Sequence, residues 1–385
     1  MKYRVFALVL VVALALGTLP CGALEVVPAT DRDFDLPCEA AILMDEDSGT
    51  VLYEKNADQQ RPIASITKVM TLLLTFEALE AGKISLDDIV PVSEHAYHMG
   101  GSQIWLEPGE QLTLNEMLKA ICISSANDAA VAEYVGGSEP VFVERMNARA
   151  KELGMENTAF RNACGLDEDG HLSSARDVAI MSREMLLHHP EVEDYCTVWM
   201  DTLRDGATQL VNTNKLLKSY NGITGLKTGT TGKAGVCISA SATRDNLRLI
   251  AVVLGSTSGK ERFEAATTLL DYGFAMYESA EVPVPADAPE SLPVDHGVEE
   301  TVALHYTAPD RCLMPKGQGA TITAELDLPD TVAAPVTEGT ILGTLNLKNE
   351  EGILQTCPIT ASQDVAVRDF GFCFRRLVDG FLLEA

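Results

Sequence analysis

Gly235-Val236-Cys237-Ile238-Ser239-Ala240-Ser241-Ala242-Thr243-Arg244-Asp245-Asn246-Leu247-Arg248-Leu249-Ile250-Ala251-Val252-Val253-Leu254 is the stretch that decides the fold. Two runs of small and β-branched residues, 235–243 and 247–254, flank the polar trio Arg244-Asp245-Asn246, so the segment predicts adjacent antiparallel strands. Upstream, residues 225–228 predict another strand, and downstream residues 260–277 predict a helix. Nearer the N-terminus, apolar runs at 40–44 and 50–54 enclose Asp47-Ser48-Gly49, a hairpin pattern. Between hairpin and strands the spacing is helical: Ile66, Val69, Met70, Leu73, Leu74 and Phe76 recur on one face up to Gly82. Thr113-Leu114-Asn115-Glu116 is a capping box opening a helix towards Ile123. Further helices begin near Ser138, ending by Gly154, and near Ser174, with Asp177 three positions in. Strands at both ends with helices between predict an α+β domain over 35–278, an antiparallel sheet with a helical cluster.

Residues 281–293 interleave Pro283, Pro285, Pro289 and Pro293 with acids and read as a linker. Short alternating runs at 301–306, 320–326, 341–347 and 353–359 predict a small all-β domain over 282–362. The tail, 364–385, is amphipathic: Val367, Phe370, Phe374, Leu377, Val378 and Phe381 share a face, with Arg368, Arg375, Arg376 and Asp379 opposite and Phe372 and Leu383 off it. Peripheral contact with a membrane surface and packing against its own domain are both open readings of that helix.

At the other end, Met1-Lys2-Tyr3-Arg4 precedes an apolar run at 5–16 and the small residues Cys21-Gly22-Ala23. That is the pattern of a signal peptide over 1–23, so an exported, extracytoplasmic protein is expected, and Pro20 before Cys21 argues against a lipid-modified cysteine. The 385 residues carry 29 basic and 56 acidic side chains, a formal charge of -27, which argues against nucleic acid or another polyanion as main partner. Cleavage after Ala23 would remove Lys2 and Arg4 and leave -29. Eight cysteines lie beyond the leader: Cys38, Cys122, Cys164, Cys196, Cys237, Cys312, Cys357 and Cys373. They are sparse and lack paired CxxC spacing, so buried free thiols are the default reading and no disulfide pairing is assigned. No metal motif, phosphate loop or dinucleotide fingerprint occurs, and no cofactor is expected.

The chemistry sits in Ser65-Ile66-Thr67-Lys68. A serine three residues before a lysine at the start of a helix places both side chains on one side of the first turn. A hydroxyl is a weak nucleophile until a base takes its proton, and a lysine is such a base when burial or nearby cations hold it partly deprotonated. Alone, the spacing also suits a cap and a solvated lysine. Its company narrows the reading: Ser125-Ala126-Asn127 follows the helix ending near Ile123, and Lys227-Thr228-Gly229 lies on the strand after Gly225. S-x-x-K with S-x-N and K-T-G, in that order, is the signature of serine β-lactamases and penicillin-binding proteins.

The blocks Pro62-Ile63-Ala64-Ser65-Ile66-Thr67-Lys68, Ser124-Ser125-Ala126-Asn127-Asp128-Ala129, Gly170-His171-Leu172-Ser173-Ser174-Ala175-Arg176-Asp177 and Gly225-Leu226-Lys227-Thr228-Gly229-Thr230 resemble the D-alanyl-D-alanine carboxypeptidases among the low-molecular-mass penicillin-binding proteins. The resemblance implies that Ser65 attacks the carbonyl between the terminal D-alanines of a peptidoglycan stem peptide, with Lys68 as base. It implies that Ser125 and Lys227 pass a proton to the departing amine and that Asn127 holds the substrate amide. Lys227 and Thr228 would hold the terminal carboxylate, Gly229 would let the substrate backbone lie against the strand, and the N-H groups of Ser65 and Thr230 would form the oxyanion hole. β-Lactams are the inhibitors it implies. Thr230 stands where many relatives have His, and Thr213 where some have Arg. Arg176 and Asp177 read as helix-opening residues, with a contact to Lys227 implied only by the family; His171 reads as structural. Alternatives are a β-lactamase, for which Asp167, Glu168 or Asp169 would activate water, a DD-endopeptidase, and a non-catalytic cell-wall-binding protein.

Overall fold

The computed structural model describes residues 34–128, 130–318, 321–349 and 352–383. The expected leader, Ala320 at the head of one expected strand and the last two residues of the tail lie outside them. The described chain divides into two compact units, one ending at Glu278 and the other beginning at Ser279.

In the first unit β1 (Ala40–Asp45), β2 (Val51–Lys55), β3 (Ile223–Thr231), β4 (Gly235–Arg244) and β5 (Leu247–Ser256) form one antiparallel sheet in the order β2-β1-β5-β4-β3. The β4–β5 turn places Asp245 and Asn246 at φ 49° and 64°, left-handed values that Asp and Asn tolerate and that match the twist of a tight hairpin. The strands read as nearly continuous apolar runs because both faces are covered. Ile42, Ile250, Val252 and Leu254 join the main core with Val69, Met70 and Phe76. On the opposite face Leu43 and Leu249 meet the helix Gly259–Met276, whose Gly273 lies so near that a Cβ there would sit 2.4 Å from Leu249 Cδ1.

The helical cluster contains α1 (Lys68–Glu80), α2 (Leu114–Ser124), α3 (Glu139–Glu152) and α4 (Ala175–His188). The capping box at Thr113 is present: its hydroxyl accepts from Glu116 N-H at 3.2 Å, and the Glu116 carboxylate accepts from Thr113 N-H at 2.8 Å. Ser174 caps α4 by accepting from Asp177 N-H at 3.1 Å.

In the second unit six strands run in the spatial order Thr323–Asp327, Ile341–Asn349, Gly352–Ala361, Thr301–Tyr306, Ser291–Asp295 and Val332–Ala333, and Tyr277–Glu281 pairs with Arg311–Pro315. The sequence pattern identifies four of these strands. Ser291–Asp295 escapes it because Pro293 belongs to the proline-rich stretch that reads as a linker, and Arg311–Pro315 because its Cys312-Leu313-Met314 run shows no polar–apolar alternation. The expected linker therefore shrinks to 282–290. The tail helix is Phe370–Leu383, capped by Asp369 Oδ1, which accepts from Phe372 N-H at 2.7 Å. Phe370, Phe374 and Leu377 are 83%, 57% and 61% exposed, so they are not packed against their own unit. Cys122, Cys164, Cys196, Cys237 and Cys312 are buried free thiols and Cys357 is buried, whereas Cys38 is half-buried and Cys373 exposed.

Candidate active site

Ser65 lies in a 3-10 turn, Ala64–Thr67, that leads into α1. Ala64 has φ 50°, a left-handed value that a β-carbon disfavours and that its surroundings must enforce. Two glycines do this. A Cβ on Gly165 would come within 1.9 Å of Ala64 O, and one on Gly229 within 2.9 Å of Ile63 O and Ser65 N. Gly229 thus has a reason that the sequence reading lacks: the crowding comes from the turn that carries the serine.

The turn sets Lys68 Nζ 3.0 Å from Ser65 Oγ, where it donates. Its other donors reach Asn127 Oδ1 at 2.6 Å and Cys164 O at 2.8 Å. Lys68 is 2% exposed, and burial lowers its pKa to about 8. Behind it, Thr67 Oγ1 meets His171 Nε2 at 2.8 Å, and His171 Nδ1 accepts from Arg161 N-H at 3.1 Å. Nε2 therefore carries the hydrogen, and burial holds the ring neutral by lowering its pKa to about 4. His171 is a buttress for the turn that carries Ser65.

α2 delivers Ser125. It occupies the C-cap at φ 60°, ψ 31°, ending the helix so that the next residues cross the site. Its hydroxyl is buried without a hydrogen-bond partner among the described residues, a costly condition that a substrate atom would relieve. Asn127 receives Lys68 on Oδ1 and donates through Nδ2 to Gly100 O at 2.8 Å, so both ends of its amide are engaged. Asp128 is fully buried and accepts from Ile104 N-H at 3.1 Å and Leu106 N-H at 3.0 Å.

β3 supplies the third wall. Lys227 is 1% exposed and donates to Thr228 O at 3.0 Å. Burial first, and the positive charge of Lys68 second, lower its pKa to about 7. Thr228 Oγ1 donates to Thr213 Oγ1 at 2.7 Å, and Asn214 Nδ2 donates to Gly225 O at 3.0 Å. Thr230 is exposed, its hydroxyl donating to Gly229 O at 2.8 Å. Arg262 escapes the sequence reading, since an arginine in the first turn of a helix reads as solvated. It is 8% exposed and its guanidinium donates to Gly229 O at 3.4 Å and Cys237 O at 3.1 Å, behind β3.

Other expected contacts fall elsewhere. Arg176 pairs with Asp58 and Glu54, and Asp177 accepts from Asn157 N-H and Thr158 Oγ1, so both are spent away from Lys227. The three candidate water-activating acids are also committed. Asp167 accepts from Thr231 Oγ1 at 2.6 Å and Lys233 N-H at 3.1 Å, Glu168 from Asn162 Nδ2 at 3.2 Å, and Asp169 pairs with Lys233.

Two family models match the chain: D-alanyl-D-alanine carboxypeptidase over residues 27–258 and the C-terminal domain of penicillin-binding protein 5 over 277–367. The chain is 44% identical over 338 residues to D-alanyl-D-alanine carboxypeptidase DacF of Bacillus subtilis, covering 86% of this chain and 87% of that one. It is 36% identical over 356 residues to D-alanyl-D-alanine carboxypeptidase DacC of Escherichia coli, covering 90% and 88%. Penicillin-binding protein 5 from Haemophilus influenzae superposes with a TM-score of 0.76 at 30% identity, covering 87% of this chain and 99% of that chain. Penicillin-binding protein D2 from Listeria monocytogenes, solved in its cefotaxime-bound form, gives a TM-score of 0.59 at 34% identity over 63% of this chain and 99% of that chain.

Proposed function

The chain belongs to the D-alanyl-D-alanine carboxypeptidase family, a serine-type hydrolase of cell-wall synthesis, and from that premise we propose how its own residues divide the reaction. One observation carries the assignment: Lys68 Nζ, buried and partly deprotonated at neutral pH, stands 3.0 Å from Ser65 Oγ.

Lys68 takes the Ser65 proton as Oγ bonds to the carbonyl carbon between the terminal D-alanines of a stem peptide. The N-H groups of Ser65 and Thr230 receive the oxyanion. The tetrahedral adduct collapses by breaking the C-N bond, and the proton held on Lys68 passes through Ser125, poised by Lys227, to the departing amine. D-Alanine leaves, and water repeats the sequence against the acyl-Ser65 ester, returning the proton to Ser65 Oγ. Asn127 orients Lys68. The substrate carboxylate meets Thr228 and Thr230, with Lys227 supplying positive charge from beneath, and the Thr213 hydroxyl supports Thr228 where some relatives place an arginine. Gly229 holds β3 against the Ser65 turn. A β-lactam acylates the same hydroxyl. The commitment of Asp167, Glu168 and Asp169 to other partners favours a long-lived adduct over β-lactamase turnover.

The leader-like first 23 residues support export, and the exposed apolar side of the tail helix supports a peripheral membrane contact. Among the described residues no helix is long and apolar enough to cross a membrane. Incubation with a peptide ending in D-Ala-D-Ala tests the assignment: D-alanine is released by the protein and not by Ser65→Ala, and equal release from both removes Ser65 as nucleophile. Mass spectrometry of the penicillin adduct should place the added mass on Ser65.

A further inference from the structure

Three partners surround the Lys68 amine, and they are not alike. Asn127 Oδ1 at 2.6 Å and Cys164 O at 2.8 Å only accept, whereas Ser65 Oγ at 3.0 Å can also donate. A neutral amine has two hydrogens and one lone pair. With both carbonyls in place they take the two hydrogens, and the lone pair is left facing the one hydroxyl that must lose its proton. The direction of the base is thus set by two oxygens on separate segments. Packing adds little there, because a cavity of about 30 Å³ lies among Lys68, His95, Met99, Asn127, Glu139 and Cys164.

Each oxygen has its own support. Cys164 follows Ala163, whose carbonyl accepts from Thr71 Oγ1 at 2.6 Å and whose N-H is held by Glu139 Oε1 at 2.9 Å. Asn127 is held by the 93–102 segment: its Nδ2 donates to Gly100 O at 2.8 Å and its N-H to Ser102 O at 2.7 Å. At the head of that segment is the short helix Glu94–Tyr97, capped by Ser93, whose hydroxyl accepts from Ala96 N-H at 2.9 Å.

The two supports meet in one contact. His95, on that short helix, donates through Nε2 to Glu139 Oε2 at 2.5 Å, the carboxylate oxygen that Ala163 does not use. Glu139 is the first residue of α3, and Glu133 reaches the His95 ring only at 4.0 Å. One carboxylate therefore ties the Cys164 carbonyl, through Ala163, to the segment that holds Asn127.

We propose that the His95–Glu139 pair is a latch joining the two supports of Lys68, which keeps the lone pair on Ser65 Oγ and makes Glu139 a positioning residue for the reaction. The inference rests on the assignment of Lys68 as the base. Acylation by labelled penicillin, followed across the pH at which Lys68 titrates, tests it. Glu139→Ala frees the Ala163 N-H and His95 together. Its plateau rate should fall roughly ten- to hundredfold. The midpoint of its pH profile should move down, since the ammonium is less favoured once the Cys164 acceptor drifts away. Glu139→Gln removes the charge but keeps a carbonyl for the Ala163 N-H, and should restore most of the rate and the original midpoint. His95→Ala removes a largely exposed ring and should move both quantities the same way by a smaller amount, and it carries the test where Glu139→Ala does not fold. Asp128, Cys164 and Lys227, the titratable groups that bear on Lys68, are untouched in all three variants. No change in a folded Glu139→Ala, or none in His95→Ala, overturns the proposal. So does a slower plateau with an unmoved midpoint, which marks ordinary structural support, and so does a Glu139→Gln profile displaced as far as that of Glu139→Ala, which assigns the effect to charge. An unsubstituted protein that forms no adduct on Ser65, or whose rate ignores pH, would instead overturn the role of Lys68 and this inference with it.

Discussion

The two buried lysines give the site its pH dependence. Lys68, with its pKa lowered to about 8, can accept the Ser65 proton only in its neutral form, so the rate of adduct formation with labelled penicillin should rise with pH through that value and then level. A rate unchanged on both sides of it would remove Lys68 as the base. The sign for stability follows from the same shifts. Lys227 near 7 and Lys68 near 8 both lie below the ordinary lysine value of 10.5, so the unfolded chain binds these protons more tightly. Stability from this source is lowest where both are charged in the folded protein. It rises as pH climbs from about 7 towards the unfolded value. Gly229 sets a second expectation at this scale. Its Cβ position lies 2.9 Å from Ile63 O and Ser65 N, so Gly229→Ala must displace backbone that carries the nucleophile. A cost of about 1–3 kcal/mol in thermal unfolding is expected. A displacement near 1 Å at Ser65 should slow acylation about a hundredfold. An unchanged rate would mean that the turn yields without moving Ser65.

At the scale of elements, the site is a meeting of three starts and stops: the turn into α1, the left-handed end of α2 and the strand β3. Asp128 fastens one of these junctions to the 104–106 segment. Asp128→Ala leaves the Ile104 and Leu106 N-H groups without their acceptor, at about 2–3 kcal/mol, or a fall in Tm of roughly 5–10 °C. Acylation should slow as well, through Asn127. A melt unchanged within error would show that the segment holds without the carboxylate. The same junctions explain what the sequence makes legible. Ser65, Lys68, Ser125 and Lys227 stand out because motif spacing follows from local geometry, and the hairpins because Asp245 and Asn246 advertise a left-handed turn. Arg262, Gly165 and the buttress from His171 to Thr67 depend on residues distant in the chain meeting in space, and no local period records that. The strand holding Pro293 is masked by its proline-rich surroundings, and Arg311–Pro315 by its lack of alternation.

For the whole molecule, charge and exposed apolar surface pull in different directions. A formal charge of -27 repels an anionic bilayer, while the helix Phe370–Leu383 presents Phe370, Phe374 and Leu377 to solvent. Fully burying a side chain of that kind is worth about 1.5–3 kcal/mol, so even partial insertion of the three competes with the loss of freedom on docking. Arg368, Arg375 and Arg376 stand among Asp364, Asp369, Asp379 and Glu384, so the tail gives no net attraction to acidic headgroups and its apolar face must carry the docking. The chain should therefore sediment with vesicles of neutral lipid, and salt should weaken that binding little. Replacing Phe370, Phe374 and Leu377 together by Ser should release it, while Arg375→Gln with Arg376→Gln should change binding to neutral vesicles little. Sedimentation that survives the triple replacement would assign membrane contact to another surface.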